Sequence, residues 1–177
     1  MRIIAGTLGG RLFESPKGHR THPMSDKIRG ALFAMLGELD GLTALDAFAG
    51  SGALSFEAVS RGARHVTAIE QDRAAQTAIA ANIKKLGLTE QVKLIKSTAQ
   101  AWSRTQPAAQ FDVVLCDPPF DDLQEEIVRE LTNHIKTDGI LVLSWPGHEL
   151  PPGLDGLVQI TQKLYGDAQL VFYQKIL

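Results

Sequence analysis

The 177-residue chain is 44% apolar and 21% charged, which suits one globular domain with a full core and excludes fibrous, low-complexity and disordered classes. No apolar run approaches the roughly 20 residues that cross a bilayer, and the N-terminus lacks the apolar stretch of a secretory leader, so a cytoplasmic protein without membrane contact is expected. The net charge of −2 hides an asymmetry: residues 1–30 carry six basic residues against two acids, a balance of +4, and the remainder carries −6, a pattern that suggests an anionic partner such as nucleic acid.

In chain order, RIIAGTLGGRLFE (2–14) reads as two short strands broken by Gly9 and Gly10, the chemistry of a hairpin. SPKGHRTHPM (15–24) is a loop rich in turn residues. Ser25 then caps a helix with Ile28, Leu32, Met35 and Leu36 on one face and Gly37 as its stop. From residue 43, apolar runs at 43–48, 65–70, 92–96, 111–116 and 140–145 alternate with helical segments at about 53–61, 72–86, 98–104 and 122–136. Strands so nearly continuous in apolar residues, separated by helices, indicate an α/β fold with a mostly parallel sheet covered on both faces. The last two runs, 157–165 and 169–177, flank Gly166–Asp167 and read as a terminal antiparallel hairpin, for seven strands in all. The one cysteine, Cys116, lies in the fourth run and reads as a buried strand residue, which leaves neither a disulfide nor a cysteine-based zinc site. His65, His134 and His148 have no metal-ligand spacing and read as surface residues, so no metal is expected.

Two motifs carry chemistry. DAFAGSG (46–52) ends a strand and opens a helix, so Phe48, Ala49, Gly50, Ser51 and Gly52 form a surface that a ligand can approach closely. Asp46 decides the kind of ligand. A dinucleotide would lay a pyrophosphate over this turn, and a carboxylate there would repel it. S-adenosylmethionine presents a sulfonium and an ammonium instead, and the third glycine of a dinucleotide loop is replaced by Ser55. Glu70, at the end of the second strand, is placed to accept hydrogen bonds from ribose hydroxyls, with Gln71 beside it, while Asp72 caps the next helix. Ser97, Thr98 and Ala99 follow the third strand, where the adenine amino group is contacted in such folds.

The second motif is Asp117-Pro118-Pro119-Phe120, at the carboxyl end of the fourth strand. Two prolines fix the backbone, so the Asp117 carboxylate and the Pro118 carbonyl form an acceptor pair for the two hydrogens of an NH2 group. A ring-conjugated amine is a poor nucleophile until its hydrogens are held, and those bonds strengthen as the nitrogen becomes positive. Phe120 offers a flat face for stacking the target ring. Trp145 and the following Pro146-Gly147-His148-Glu149 end the fifth strand, either as a wall of that pocket or as packing.

With both motifs in view, the chain resembles the bacterial 16S rRNA guanine-N2 methyltransferase family that modifies a guanine in the small-subunit head. The likeness rests on MRIIAG (1–6), HPMSDKIRGALF (22–33), LDAFAGSGALSFEAVSRGA (45–63), DPPF (117–120) and YGDAQLVFY (165–173). Pro23, Ser25, Asp26 and Arg29 match the family pattern directly. His22 stands in place of an arginine, Gly30 in place of a glutamate, and Thr98 in place of an acid. The resemblance implies a Rossmann-like methyltransferase domain over 38–177 preceded by an RNA-binding extension over 1–37. It also implies S-adenosylmethionine as methyl donor, S-adenosylhomocysteine as product, and 16S rRNA or the assembling 30S subunit as partner, with no obligate protein partner. Arg2, Arg11, Arg20, Lys27 and Arg29 become phosphate or cofactor-edge contacts. Adenine-N6 or cytosine-N4 methylation of nucleic acid and methylation of protein glutamine remain alternatives within the same chemistry. A non-catalytic RNA-binding assembly factor is the alternative outside it, disfavoured by the intact Asp46, Gly50, Gly52, Glu70 and Asp117.

Overall fold

A computed structural model describes residues 1–18 and 23–176. The elements run α1 (Asp26–Leu36), β1 (Thr43–Asp46), α2 (Ala53–Ser60), β2 (His65–Glu70), α3 (Arg73–Leu86), β3 (Val92–Lys96), α4 (Ala99–Thr105), β4 (Phe111–Cys116), α5 (Glu125–Leu131), β5 (Ile135–Pro146), β6 (Leu157–Tyr165) and β7 (Ala168–Lys175). They form one seven-stranded sheet in the order β3-β2-β1-β4-β5-β7-β6. β1 to β5 pair in parallel and β7 runs antiparallel to both β5 and β6. This is the Rossmann-like methyltransferase order, and it reverses direction between β1 and β4, where open α/β sheets bind ligands at their carboxyl edge. Among the described residues, no helix is long and apolar enough to cross a membrane.

Alternate strand residues feed two cores. Ala44, Val66, Ala68, Val113, Leu115, Val142 and Phe172 pack against the α2 and α3 side with Phe56, Ile79 and Ile83. Leu45, Ile69, Val114, Cys116, Leu143 and Tyr173 pack against the α4 and α5 side with Trp102, Val128 and Leu131. Period-two alternation into two separate apolar layers is what strands buried on both faces require. The first core also takes in Ile3 and Phe13 of the N-terminal arm and Leu32 and Phe33 of α1.

The arm departs from a two-stranded hairpin. Only Arg2 and Leu12 form a bridge, extended by Ile3 N–H to Arg11 O at 2.9 Å and Phe13 N–H to Met1 O at 3.0 Å. The next two amides, Ile4 and Ala5, turn instead to the Glu57 carboxylate at 2.8 and 3.1 Å, so the ladder stops where α2 competes for its donors. Ser25 caps α1 as its sequence indicates, accepting from Ile28 N–H at 3.2 Å.

The fifth helix is shorter than the periodicity over 122–136 indicates. Asp122 N–H closes a turn on Pro119 O, Gln124 takes a left-handed φ of 49°, and α5 starts only at Glu125. At the other end one 3-10 turn, Thr132–His134, leads straight into β5, which begins at Ile135 against Phe111, five residues before the apolar run starts. His134, read as a surface residue, is buried: Ser103 Oγ lies 2.8 Å from its Nε2 and Ala109 O 2.8 Å from its Nδ1. Two hydrogen-bond partners satisfy the ring, which is the condition for burying it.

Candidate active site

β1, β2 and β4 are adjacent, so their carboxyl ends bring Asp46, Glu70 and Asp117 to one edge of the sheet. Asp46 is fully buried. Its Oδ2 accepts the Ser55 hydroxyl at 2.6 Å, and its Oδ1 has no hydrogen-bond partner among the described residues. Burial raises its pKa to about 7, an effect opposed by the Ser55 hydrogen bond and reinforced by the charges of Asp117 and Glu70. A buried carboxylate oxygen without a donor is costly by itself and is stabilised by a cationic donor.

The loop between Asp46 and α2 is shaped by its glycines. Gly50 and Gly52 have φ of 55° and 80°. A Cβ at Gly52 would stand 2.9 Å from the Phe56 ring, so the chain can lie this close to α2 only without a side chain. Glu70 spans the loop from the neighbouring strand: Oε2 accepts Gly50 N–H at 2.7 Å and Oε1 accepts Asp72 N–H at 2.7 Å. Each carboxylate oxygen has a second acceptor direction, so Glu70 can brace the loop and still receive a hydroxyl. An open acidic oxygen, a cradle with no side chain and a bracing acid fit S-adenosylmethionine, whose amino acid end is cationic at its ammonium and whose ribose carries two hydroxyls.

The other residues expected at a cofactor from the sequence are less direct. Gln71 is exposed, and Ala99 is buried at the start of α4. Thr98 serves as the N-cap of α4, its hydroxyl oxygen accepting Ala101 N–H at 3.0 Å. Its place opposite an adenine amino group therefore competes with a capping role. Asp72 caps α3 through Ala75 N–H at 2.9 Å.

On the β4 side, Asp117 is half-buried, Pro118 is buried, and Phe120 stands 43% exposed. Enclosure by protein raises the Asp117 pKa to about 6, and the Ser144 hydroxyl counters that rise. The pairing of Cys116 with Leu143 sets residue 117 beside residue 144. Asp117 is near enough to Asp46 to disfavour its charge, and the exposed Phe120 follows three residues later on the same loop. Trp145 is packed in the second core with its indole N–H lacking a partner among the described residues, so it is a buried residue and not an open pocket wall. Two clefts of about 370 and 350 Å³ lie elsewhere, one by Thr7, Gly62 and Gly87 and one by Thr67, Lys93 and Trp102. Neither is lined by Asp46, Glu70 or Asp117.

The basic residues divide. Arg11 and Lys27 are exposed, and Arg2 is exposed but paired with Asp26 at 2.9 Å. Arg29 is 0% exposed, which corrects its reading as a phosphate contact. Its guanidinium donates to Arg2 O at 2.7 Å and to Asp26 Oδ1 at 3.0 Å, and lies 3.8 Å from Glu57 Oε2. It is a fastener between the arm, α1 and α2. Arg20 lies outside the described residues. Sequence reasoning missed Ser55 and Ser144, which hold the two site aspartates, and Glu57, which holds the arm. Ser55 had one visible signal, a hydroxyl in the first turn of the helix that follows the glycine loop.

A family model described as Conserved hypothetical protein 95 matches residues 1–174. The chain is 30% identical over 182 residues to YlbH of Bacillus subtilis (strain 168), covering 99% of each chain. It is 33% identical over 147 residues to Ribosomal RNA small subunit methyltransferase D of Haemophilus influenzae, covering 80% of this chain and 76% of the relative. Among solved structures, yhhF of Escherichia coli superposes with a TM-score of 0.88 at 30% identity, over 99% of this chain and 98% of that one.

Proposed function

The chain belongs to the Conserved hypothetical protein 95 family, and from that membership we propose that it transfers a methyl group from S-adenosylmethionine to the exocyclic N2 amine of a guanine in 16S rRNA, releasing S-adenosylhomocysteine. The observation that carries the chemistry is the juxtaposition at neighbouring strand ends of Asp46, buried with an open Oδ1, and Asp117-Pro118-Pro119-Phe120. The choice of ribosomal RNA is supported by the basic arm and by the relative named Ribosomal RNA small subunit methyltransferase D.

The cofactor, when bound, supplies an electrophilic methyl on a sulfonium. Asp46 Oδ1 and the glycine loop hold its amino acid end, and Glu70 receives its ribose hydroxyls. Phe120 stacks the extruded base. The Asp117 carboxylate and the Pro118 carbonyl each accept one N–H of the target amine, which aims the nitrogen lone pair along the transfer direction. As the nitrogen gains its new carbon it becomes positive, both hydrogen bonds strengthen, and the Asp117 carboxylate takes the proton that the nitrogen releases. An acid poised at about 6 can accept that proton and return it to water near neutral pH.

Transfer of tritium from labelled cofactor to naked 16S rRNA and to 30S particles tests the reading, with Asp117→Ala alongside. Label should enter RNA with the parent protein and fall by at least two orders of magnitude with the variant. Nuclease digestion and mass spectrometry should place it as N2-methylguanosine. Label in adenine, cytosine or protein, or incorporation indifferent to Asp117→Ala, would overturn the proposal. Comparing the two substrates decides between free rRNA and the assembling subunit.

A further inference from the structure

Three carboxylates crowd the cofactor edge, and the one set deepest, Asp46, faces no cation among the described residues. Glu70 from β2 and Asp117 from β4 each disfavour its charge, and the Cys116 thiol beside it stays neutral, pushed up by burial and by both aspartates. One group in the site works in the opposite sense. Ser55, itself fully buried in the first turn of α2, donates its hydroxyl to Asp46 Oδ2 at 2.6 Å. A short bond of this kind to a carboxylate oxygen is among the strongest neutral-to-charged contacts in proteins. It also fixes the rotation of the carboxyl group, since with Oδ2 tied to the helix, Oδ1 is left as the open oxygen.

We infer that Ser55 is a positioning residue for the cofactor: its hydroxyl favours the charged form of Asp46 and fixes its orientation, so that Oδ1 receives the ammonium of the bound amino acid end. This rests on the methyltransferase reading of the site. Without the hydroxyl, Asp46 keeps its burial and its two acidic neighbours but loses its one donor side chain, and it becomes a neutral acid over a wider range of pH. A protonated carboxyl cannot neutralise a cation. Cofactor affinity then falls most where Asp46 is protonated and recovers as rising pH restores its charge.

The probe is S-adenosylhomocysteine, titrated calorimetrically into the full chain at pH 6, 7 and 8.5 for the parent, Ser55→Ala, Ser55→Cys and Asp46→Asn, with thermal unfolding of each unliganded protein recorded in parallel. Reading each variant as a ratio to the parent at the same pH cancels titration of the ligand. Ser55→Ala should bind about tenfold more weakly at pH 7, the loss expected for one hydrogen bond to a charged group. The ratio should widen at pH 6 and shrink toward one at pH 8.5. Ser55→Cys, a weaker donor of similar reach, should fall between parent and alanine, and it supplies the same test should Ser55→Ala fail to fold. Asp46→Asn should bind weakly with a ratio that does not shrink at high pH. Serine variants that bind like the parent, or that weaken by the same factor at every pH, overturn the inference while parent binding leaves the methyltransferase reading standing. No binding by the parent at any pH overturns both.

Discussion

Glu57 Oε2 accepts the backbone N–H of Ile4 at 2.8 Å, and through that contact the N-terminal arm is fastened to the helix that opens at the cofactor loop. Glu57 is fully buried, and it also accepts Ala5 N–H at 3.1 Å and Arg61 Nε at 2.8 Å. Ser60, one turn further along α2, repeats the pattern by donating to Ala5 O and accepting Leu8 N–H at 2.9 Å. One eight-residue helix thus has the glycine loop at its start and the arm along its flank. The proposed RNA-binding surface and the cofactor surface are positioned by the same element.

Replacing Glu57 with alanine should destabilise the protein by about 3–5 kcal/mol, since the Ile4 and Ala5 amides and the Arg61 guanidinium lose their shared acceptor together and the buried Arg29 keeps only Asp26 as an acid. Glutamine keeps one acceptor oxygen and should cost less. Urea unfolding of the two variants measures the difference, and a change below about 1 kcal/mol for alanine would show that the arm is held by its apolar contacts alone.

Glycine at 52 answers to two separate demands, and a second glycine can separate them. At Gly52 a Cβ would meet the Phe56 ring at 2.9 Å and Ile79 at 3.2 Å, whereas at Gly87, with a similar φ of 72°, it would meet nothing within 4 Å. Gly87→Ala should lose only the backbone term, about 1–2 kcal/mol, with S-adenosylhomocysteine binding unchanged. Gly52→Ala should lose more stability and weaken that binding at least tenfold by displacing the loop. Chemical denaturation and calorimetry on the pair check both halves.

Much of this architecture is legible in the sequence because it depends on local signals. Runs such as HVTAIE and FDVVLC map onto β2 and β4 without a shift, since a strand buried on both faces is apolar nearly throughout. Asp46, Gly50, Gly52 and Asp117 are found for a related reason: strand ends and tight turns tolerate few residue types. What stays hidden is long-range. Nothing near Arg29 in the chain marks it as buried, because its burial depends on Glu57, 28 positions away in the numbering, and on Arg2 O. His134 likewise looks like a surface residue until β5 brings it against Ser103 and Ala109. The bridge segment of the arm reads as a hairpin because the competing acceptor lies in α2.

The buried acids should give the unliganded protein an unusual pH profile. Asp46 and Asp117 have pKa values raised to about 7 and about 6, above the ordinary 3.8 that they regain on unfolding. Between those limits the native state holds protons that the unfolded chain has released, so stability falls as pH rises from about 4 to about 7. The loss is on the order of a few kcal/mol and levels off above pH 7. Asp26 and Asp112, whose values are lowered, contribute stability above 3.8 that is lost only as pH falls further, and so leave this window untouched. His65, held below 6.5 by burial and by Lys93 and Arg64, acts in the opposite direction up to 6.5. Comparison with Asp46→Asn isolates the carboxylate: urea midpoints measured from pH 5 to pH 8 should slope downward less steeply in the variant. Equal slopes would mean that Asp46 titrates in the ordinary carboxylate range.

Arg11, Lys27 and Arg29 share a charge and should nonetheless give three variants of two kinds. The side chains of Arg11 and Lys27 are exposed, with no ion pair to any described residue, and each can neutralise a phosphate. Removing either should weaken rRNA binding uniformly across sequences and reduce the slope of log affinity against log salt by about one. Arg29 gives no such signature, because its guanidinium is already engaged by Arg2 O, Asp26 and Glu57. Arg29→Ala should leave the salt slope of the folded protein unchanged and lower its unfolding free energy by about 1.5–3 kcal/mol, the loss of its charged hydrogen bonds to Arg2 O and Asp26, while Glu57 keeps Arg61 as its ion-pair partner. Fluorescence anisotropy on a 16S rRNA fragment between 50 and 200 mM salt, run beside urea unfolding, separates the two kinds. A reduced salt slope for folded Arg29→Ala would place that side chain on the RNA after all, and would require the arm to open from α2 when RNA binds.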